Sequence, residues 1–325
     1  LTTKAATLGG ILFLRLLQKV MLMTASSSFL TETHQCSVPG GVMYINELGR
    51  GPLVLVLGGI SGDRQAITNA ADGWWQGLAQ AVDPNQFTVV TVDYAGGNGE
   101  SEVAVVPQTI AEQASYISTA LQELGWIDFY AVVGGSYGGL VALELAQDKQ
   151  LNFDHVAVIG AAHRPTAQAV MLRALQREFV RLGDAAGQPE RGTQLARALA
   201  MLSYRSAEGM DQYYPDPQDA VNYIESRGLR TVQRSLPRAR QLFEVFGPAL
   251  DSYRIEPYHI EQPTLLIGFD SDQLVPPSLL ETFHAQLPDG RGCHIFPSTY
   301  GHDGFIKNTA DYAPVLKQFL ESSWR

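Results

Sequence analysis

From Gly41 onward the chain alternates between two hydrophobic periods. Near-continuous apolar runs at 52–59, 87–94, 129–135, 155–162 and 263–270 each reach a glycine or an acid at or near their end, the pattern of parallel strands buried on both faces. A further run at 292–298 predicts the last strand. Between several of these, Ile110–Leu124 and Leu140–Gln147 repeat at helical spacing, and Tyr312–Ser322 reads as a closing helix. Repeated βα units of this kind imply an α/β fold with a mostly parallel, doubly wound sheet. The segment from about His163 to Tyr253 breaks the alternation, because it is helical in pattern and has no strand-like run. An insertion this long between two core strands is expected to be a cap or lid that shapes a binding site. The expected division is therefore a core of 31–162 and 254–325, a helical cap of 163–253, and an N-terminal extension of 1–30.

One strand-to-helix junction carries chemistry. In YAVVGGSYGGLVALELA (130–146) the β-branched run meets the helical pattern at Ser136, flanked by Gly134 and Gly138. The pattern G-x-S-x-G is the nucleophile elbow of the α/β-hydrolase fold, whose tight turn leaves no room for side chains beside the serine. Such a turn sets the hydroxyl at a helix N-terminus, where backbone N–H groups favour developing negative charge. A glycine-rich turn with a capping serine would look similar, so partners downstream decide.

A nucleophilic serine needs a base and an acid to orient it, in the chain order Ser, Asp or Glu, His. LLIGFDSDQLVPP (265–277) places Asp270 and Asp272 beyond a buried strand, and YGHDGF (300–305) places His302 in a glycine-flanked loop after the last strand. Asp272 is preferred as the acid because it lies farther into the loop, whereas Asp270 can end the strand by accepting turn N–H groups. The oxyanion donors are then expected to be the backbone N–H of Tyr137, after the nucleophile, and that of Ile60 in the turn VLGGISGD (56–63).

Composition narrows the partners. A formal charge of −10 argues against nucleic acid, and there is no basic cluster. Two cysteines, Cys36 and Cys293, make no disulfide framework, and no His/Cys group has metal spacing. The default is a cytoplasmic, metal-free protein. The opening LTTKAATLGGILFLRLLQKV resembles the start of a signal peptide, yet Arg15 and Lys19 interrupt it and it is too short to span a bilayer. It is expected to be a disordered extension.

Taken together, GGSYGG (134–139), DSDQLVPP (270–277), GHDGF (301–305), MLSYRS (201–206), HRPTAQAVMLRALQRE (163–178) and GWWQGL (73–78) resemble the homoserine O-acyltransferases of the α/β-hydrolase superfamily. The resemblance runs from about Gly41 to the C-terminus. It implies ping-pong transfer from acetyl-CoA or succinyl-CoA to homoserine, in methionine biosynthesis, with acyl-CoA as co-substrate and no tightly bound cofactor. It implies Ser136, His302 and Asp272 as the catalytic set, Arg205 for the substrate carboxylate and Asp303 for its ammonium group. It also implies a homodimer formed through cap helices, where Met171, Leu172, Leu175 and Phe179 could serve either an interface or the lid's own packing.

The GGIS turn, in place of the histidine-headed turn of acetyl-transferring members, leans toward a succinyl donor. A succinyl carboxylate needs a cation, for which Arg64, Arg164 and Arg173 are candidates. The alternatives are a serine O-acyltransferase, since one methylene is weakly discriminated, and a serine esterase of the same fold.

Overall fold

The computed structural model describes residues 29–322, so most of the expected N-terminal extension lies outside the described residues. Nine strands form one sheet: β1 (Glu32–Val38), β2 (Gly41–Gly49), β3 (Leu53–Leu57), β4 (Thr88–Val92), β5 (Glu102–Val103), β6 (Asp128–Gly135), β7 (Asn152–Ile159), β8 (Thr264–Phe269) and β9 (Gly290–Phe296). Their order is β1-β2-β4-β3-β6-β7-β8-β9, with β5 paired to β2. From β4 to β9 neighbours run parallel, and β1, β2 and β5 add antiparallel pairs at one end.

The central strands are apolar throughout because both faces are covered. Leu55 and Leu57 of β3 and Val132 of β6 enter one core with Ile117, Leu121 and Leu143. Val54 and Val56 of β3 and Val133 of β6 enter the other with Leu78, Leu316 and Leu320. This period of two is the pleat itself. The first core is roofed by α1 (Ile110–Glu123) and α2 (Tyr137–Gln147), and the second by α10 (Thr309–Glu321). The helix α1 begins where Thr109 accepts the Glu112 N–H and the Glu112 carboxylate accepts the Gln108 N–H, so side chains satisfy N–H groups that lack helical partners.

β1, missed by the alternation that begins at Gly41, has a polar face. Only Cys36 and Val38 are buried there, so the strand lacks the continuous apolar signal of its neighbours. An edge strand with one solvated face reads weakly in sequence for this reason.

Between β7 and β8 the chain runs through α3 (Ala167–Ala185), α4 (Pro189–Ser203), α5 (Ala207–Tyr213), α6 (Pro217–Arg234), α7 (Leu236–Gln241), one π-helical turn at Leu242–Phe246 and α8 (Gly247–Ser252). Thr166, Ser206, Asp216 and Ser235 each cap the helix that follows by accepting a backbone N–H. Val180, Ala196, Ala200 and Phe243 form a small core of their own here. A last helix before the final strand, α9 (Pro277–His284), packs Leu280 and Phe283 into the first core.

The strand order reverses between β3 and β6: the chain goes from β3 to β4 on one side and then to β6 on the other. Open α/β sheets bind ligands at the C-terminal ends of strands at such a switch point. The turn carrying Ile60 follows β3, and Ser136 follows β6.

Candidate functional site

Ser136 is held at φ 54°, ψ −119°, one of two described non-glycine residues with positive φ. The glycines around it are steric necessities. A Cβ on Gly134 would lie 2.3 Å from the Gly138 carbonyl oxygen, and one on Gly138 would lie 2.1 Å from that of Leu57. The Ser136 N–H donates to Ile159 O at 2.8 Å, pinning the elbow to β7. The strain of such a conformation is of order 1–3 kcal/mol and persists only where its surroundings dictate it.

From Ser136 a chain of short hydrogen bonds leads inward. Ser136 Oγ is 2.7 Å from His302 Nε2, and His302 Nδ1 is 2.7 Å from Asp272 Oδ2. The other oxygen of Asp272 accepts the N–H groups of Leu274 and Val275 at 2.9 and 3.0 Å. With both oxygens engaged and the side chain wholly buried, the carboxylate can accept only the Nδ1 proton of His302. Nε2 is thereby left as the acceptor of the serine hydroxyl proton. Asp270 is elsewhere, accepting the Ser298 N–H at 2.9 Å. Ser271 ties the acid loop to the histidine loop, donating to Ser298 O and accepting the Gly301 N–H at 3.1 Å.

Burial disfavours charge on His302, yet the Asp272 carboxylate more than offsets it, with Asp303 adding to the same side and Arg173 opposing. The imidazole is therefore held above its ordinary range.

Neither the Ile60 nor the Tyr137 N–H has an acceptor among the described residues, and both residues line one cavity of about 100 Å³ with Ser136 and His302. The turn around Ile60 is braced from behind. Gly58 O accepts both the Gly138 N–H at 2.9 Å and the Tyr94 hydroxyl at 2.7 Å, and Gly62 N–H closes on Gly59 O. Beyond it, fully buried Asp93 accepts the Arg64 and Glu100 N–H groups, each at 2.7 Å, and pairs with the Arg64 guanidinium at 2.5 Å. Arg64 thus braces the turn and, being held by Asp93, Glu100 and Asn46, is not free to meet a substrate.

Arg205 and Asp303 are brought together, but with each other: Arg205 Nε lies 2.8 Å from Asp303 Oδ2, off the hydrogen-bonding direction. The pair belongs to a seam between the 203–214 segment and the histidine loop. Along it the Asp303 N–H donates to Tyr204 O at 3.2 Å, Ser206 Oγ to Thr299 O at 2.5 Å and Tyr213 OH to Tyr300 OH at 2.7 Å.

Sequence reasoning missed Arg197 and Tyr204, which line the cavity from α4 and its end, and the brace made by Asp93. An aspartate ending the apolar run FTVVTVD was the available signal for the brace. Nothing in the pattern of α4 marked Arg197. Among the described residues one group could ligate a metal: Glu32, His34 and Glu47, with ligand atoms within 4.8 Å of one another on the edge pair β1–β2. No described helix is long and apolar enough to cross a membrane.

Residues 52–309 match the family model described as alpha/beta hydrolase fold. The homoserine O-succinyltransferase of Xanthomonas campestris pv. campestris is 31% identical over 84% of this chain and 76% of its own length. Among solved structures, homoserine O-acetyltransferase from Staphylococcus aureus superposes with TM-score 0.76 at 23% identity, covering 90% of this chain and 95% of its own. Esterase E22 superposes with TM-score 0.77 at 16% identity, covering 90% and 100%. At these identities the two superpositions speak for the fold alone, and they do not separate transfer from hydrolysis.

Proposed function

This chain belongs to the homoserine O-acyltransferase family of the α/β-hydrolase fold, and from that premise we propose that it transfers an acyl group from acyl-CoA to the hydroxyl of homoserine through an ester on Ser136. His302 Nε2 takes the Ser136 proton as Oγ attacks the thioester carbonyl carbon. The tetrahedral oxyanion is met by the N–H groups of Ile60 and Tyr137, each such donor being worth roughly 3–4 kcal/mol in related chemistry. The C–S bond breaks, His302 returns the proton to the departing sulfur, and free CoA thiol leaves. In the second half His302 removes the proton of the homoserine hydroxyl, that oxygen attacks the acyl-serine, and the proton goes back to Ser136 Oγ. Asp272 holds the Nδ1–H tautomer through both halves.

The observation that carries transfer over hydrolysis is the ion pair of Arg205 with Asp303, the residue next to the base. A water acceptor needs neither charge. An amino acid brings one carboxylate and one ammonium group, and it can replace each partner of the pair by the opposite end of its own zwitterion. Helices 167–252 are read as the cap that keeps water from the acyl-serine between the two halves.

The test is to trap the intermediate. Incubation with acyl-CoA alone should leave the acyl group on the peptide containing Ser136, detected by mass, and homoserine should then discharge it as O-acylhomoserine. Discharge at the same rate without homoserine would instead make the protein a thioesterase.

A further inference from the structure

The wall of the cavity beside Ser136 includes three arginines, Arg164, Arg173 and Arg197, and no aspartate or glutamate. Arg173 reaches it from α3 with its Nε on Asp251 Oδ1 at 2.6 Å, while Arg177, one turn along, takes the other oxygen at 2.6 Å. One carboxylate outside the wall is thus shared by two guanidinium groups, and Arg173 Nη2 is buried with no acceptor. Arg197 comes from α4. Its Nε is also buried with no acceptor, and its guanidinium carbon lies 5.8 Å from the centre of the Tyr204 ring. Arg164 differs, because its Nη1 has a backbone acceptor, Pro165 O, at 3.4 Å.

Cationic N–H groups without acceptors are costly where the surroundings are Leu140, Leu172, Leu242 and Phe243. What relieves them is an anion with several lone pairs, and a carboxylate fits a guanidinium fork best. We propose that Arg173 and Arg197 form the subsite for a carboxylate at the far end of the acyl group, so that the donor is the thioester of a dicarboxylic acid, a succinyl rather than an acetyl group. The proposal rests on the acyltransferase reading of Ser136 and adds to it the residues that select the donor. An acetyl group would leave Arg173 Nη2 and Arg197 Nε without an acceptor. Arg64, the remaining sequence candidate, is engaged by Asp93, Glu100 and Asn46. The Arg173 charge is felt at His302, which agrees with a subsite opening on the catalytic pair.

The other carboxylate entering this site is that of the acceptor, and the experiment separates the two. kcat/KM is measured for succinyl-CoA and acetyl-CoA with homoserine in the wild type, Arg173→Gln, Arg173→Lys and Arg197→Gln. Arg197→Gln leaves the Asp251 ion pairs intact and so serves if Arg173→Gln does not fold. The expected result is a wild-type preference for succinyl-CoA. The succinyl-to-acetyl ratio should fall by about 100-fold in the glutamine variants, the loss typical of truncating one partner of a buried charge pair, and by less in Arg173→Lys. A wild-type preference for acetyl-CoA, an unchanged ratio, or an effect confined to the KM of homoserine would overturn the proposal while leaving the transferase reading intact. Should neither donor support acceptor-dependent release of CoA, the transferase reading fails. The subsite then stands or falls on whether succinate, but not acetate, protects Ser136 from a fluorophosphonate probe, and whether Arg197→Gln removes that protection.

Discussion

At Ser136 the backbone is strained because the hydroxyl has to stand clear of the sheet, and the strain is measurable. With φ at 54°, alanine inherits the unfavourable conformation and glycine does not. Ser136→Gly should therefore be more stable than Ser136→Ala by about 1–3 kcal/mol in urea unfolding, both being inactive. His302 gives a second residue-scale prediction. Acylation needs its neutral form, and its ionisation lies above the ordinary value of about 6.5. The acid limb of the pH profile of kcat/KM should therefore be displaced upward, and Asp272→Asn should move it down. The linked effect on stability has the sign of a raised histidine: full below the unfolded value and lost as pH rises through the folded one. Arg205→Ala should lower kcat/KM for homoserine by about 30-fold or more, seen chiefly in KM, as loss of a partner to a charged group in a buried site costs at least about 2 kcal/mol. The hydrogen-bonded set of Ser136, His302 and Asp272 was legible in sequence from the elbow pattern and the chain order, with Asp272 preferred to Asp270 by its place farther into the loop. The pairing of Arg205 with Asp303 was not, since it joins positions about a hundred residues apart across a seam no local pattern encodes.

Elements were legible in proportion to how continuously they are buried. β3, β4, β6, β7 and β8 announce themselves as apolar runs because helices cover both faces, whereas β1 and β5 sit at the sheet end with polar faces. The helices between β7 and β8 could be read as helical, but which faces line the cavity could not: Arg197 lies one turn from both Thr193 and Met201 on the buried face of α4, and a charged residue there gives no apolar signal. The docking of α5 on the histidine loop gives the prediction at this scale. A Cβ on Gly209 would lie 1.9 Å from Thr299 O, a clash with the backbone of the histidine loop. Gly209→Ala should separate the 203–214 segment from the loop, displacing Arg205 and His302 together. Activity should fall by at least about tenfold, and proteolytic cleavage within residues 203–214 should become faster than in the wild type.

Over the whole molecule the charge is unevenly placed. The chain carries a formal −10, yet residues 163–253 hold twelve arginines against ten acids, a local +2. On the proposed function, a net-positive 163–253 segment beside an acidic core would favour the approach of a polyanionic thioester to the mouth of the site. The pleat, the switch point and the elbow together set Ser136, His302 and the N–H groups of Ile60 and Tyr137 at one end of the sheet, and residues 163–253 supply the arginines to which donor selection is assigned in the proposal.

The most direct measurement is steady-state release of CoA thiol from succinyl-CoA and acetyl-CoA, each with homoserine, with serine and with no acceptor. Release that requires an amino acid, and is fastest with homoserine, is the expected result. Release at an equal rate without any acceptor would contradict acyl transfer to homoserine, for water would then be the acceptor and the ion pair of Arg205 with Asp303 would have no part in the chemistry.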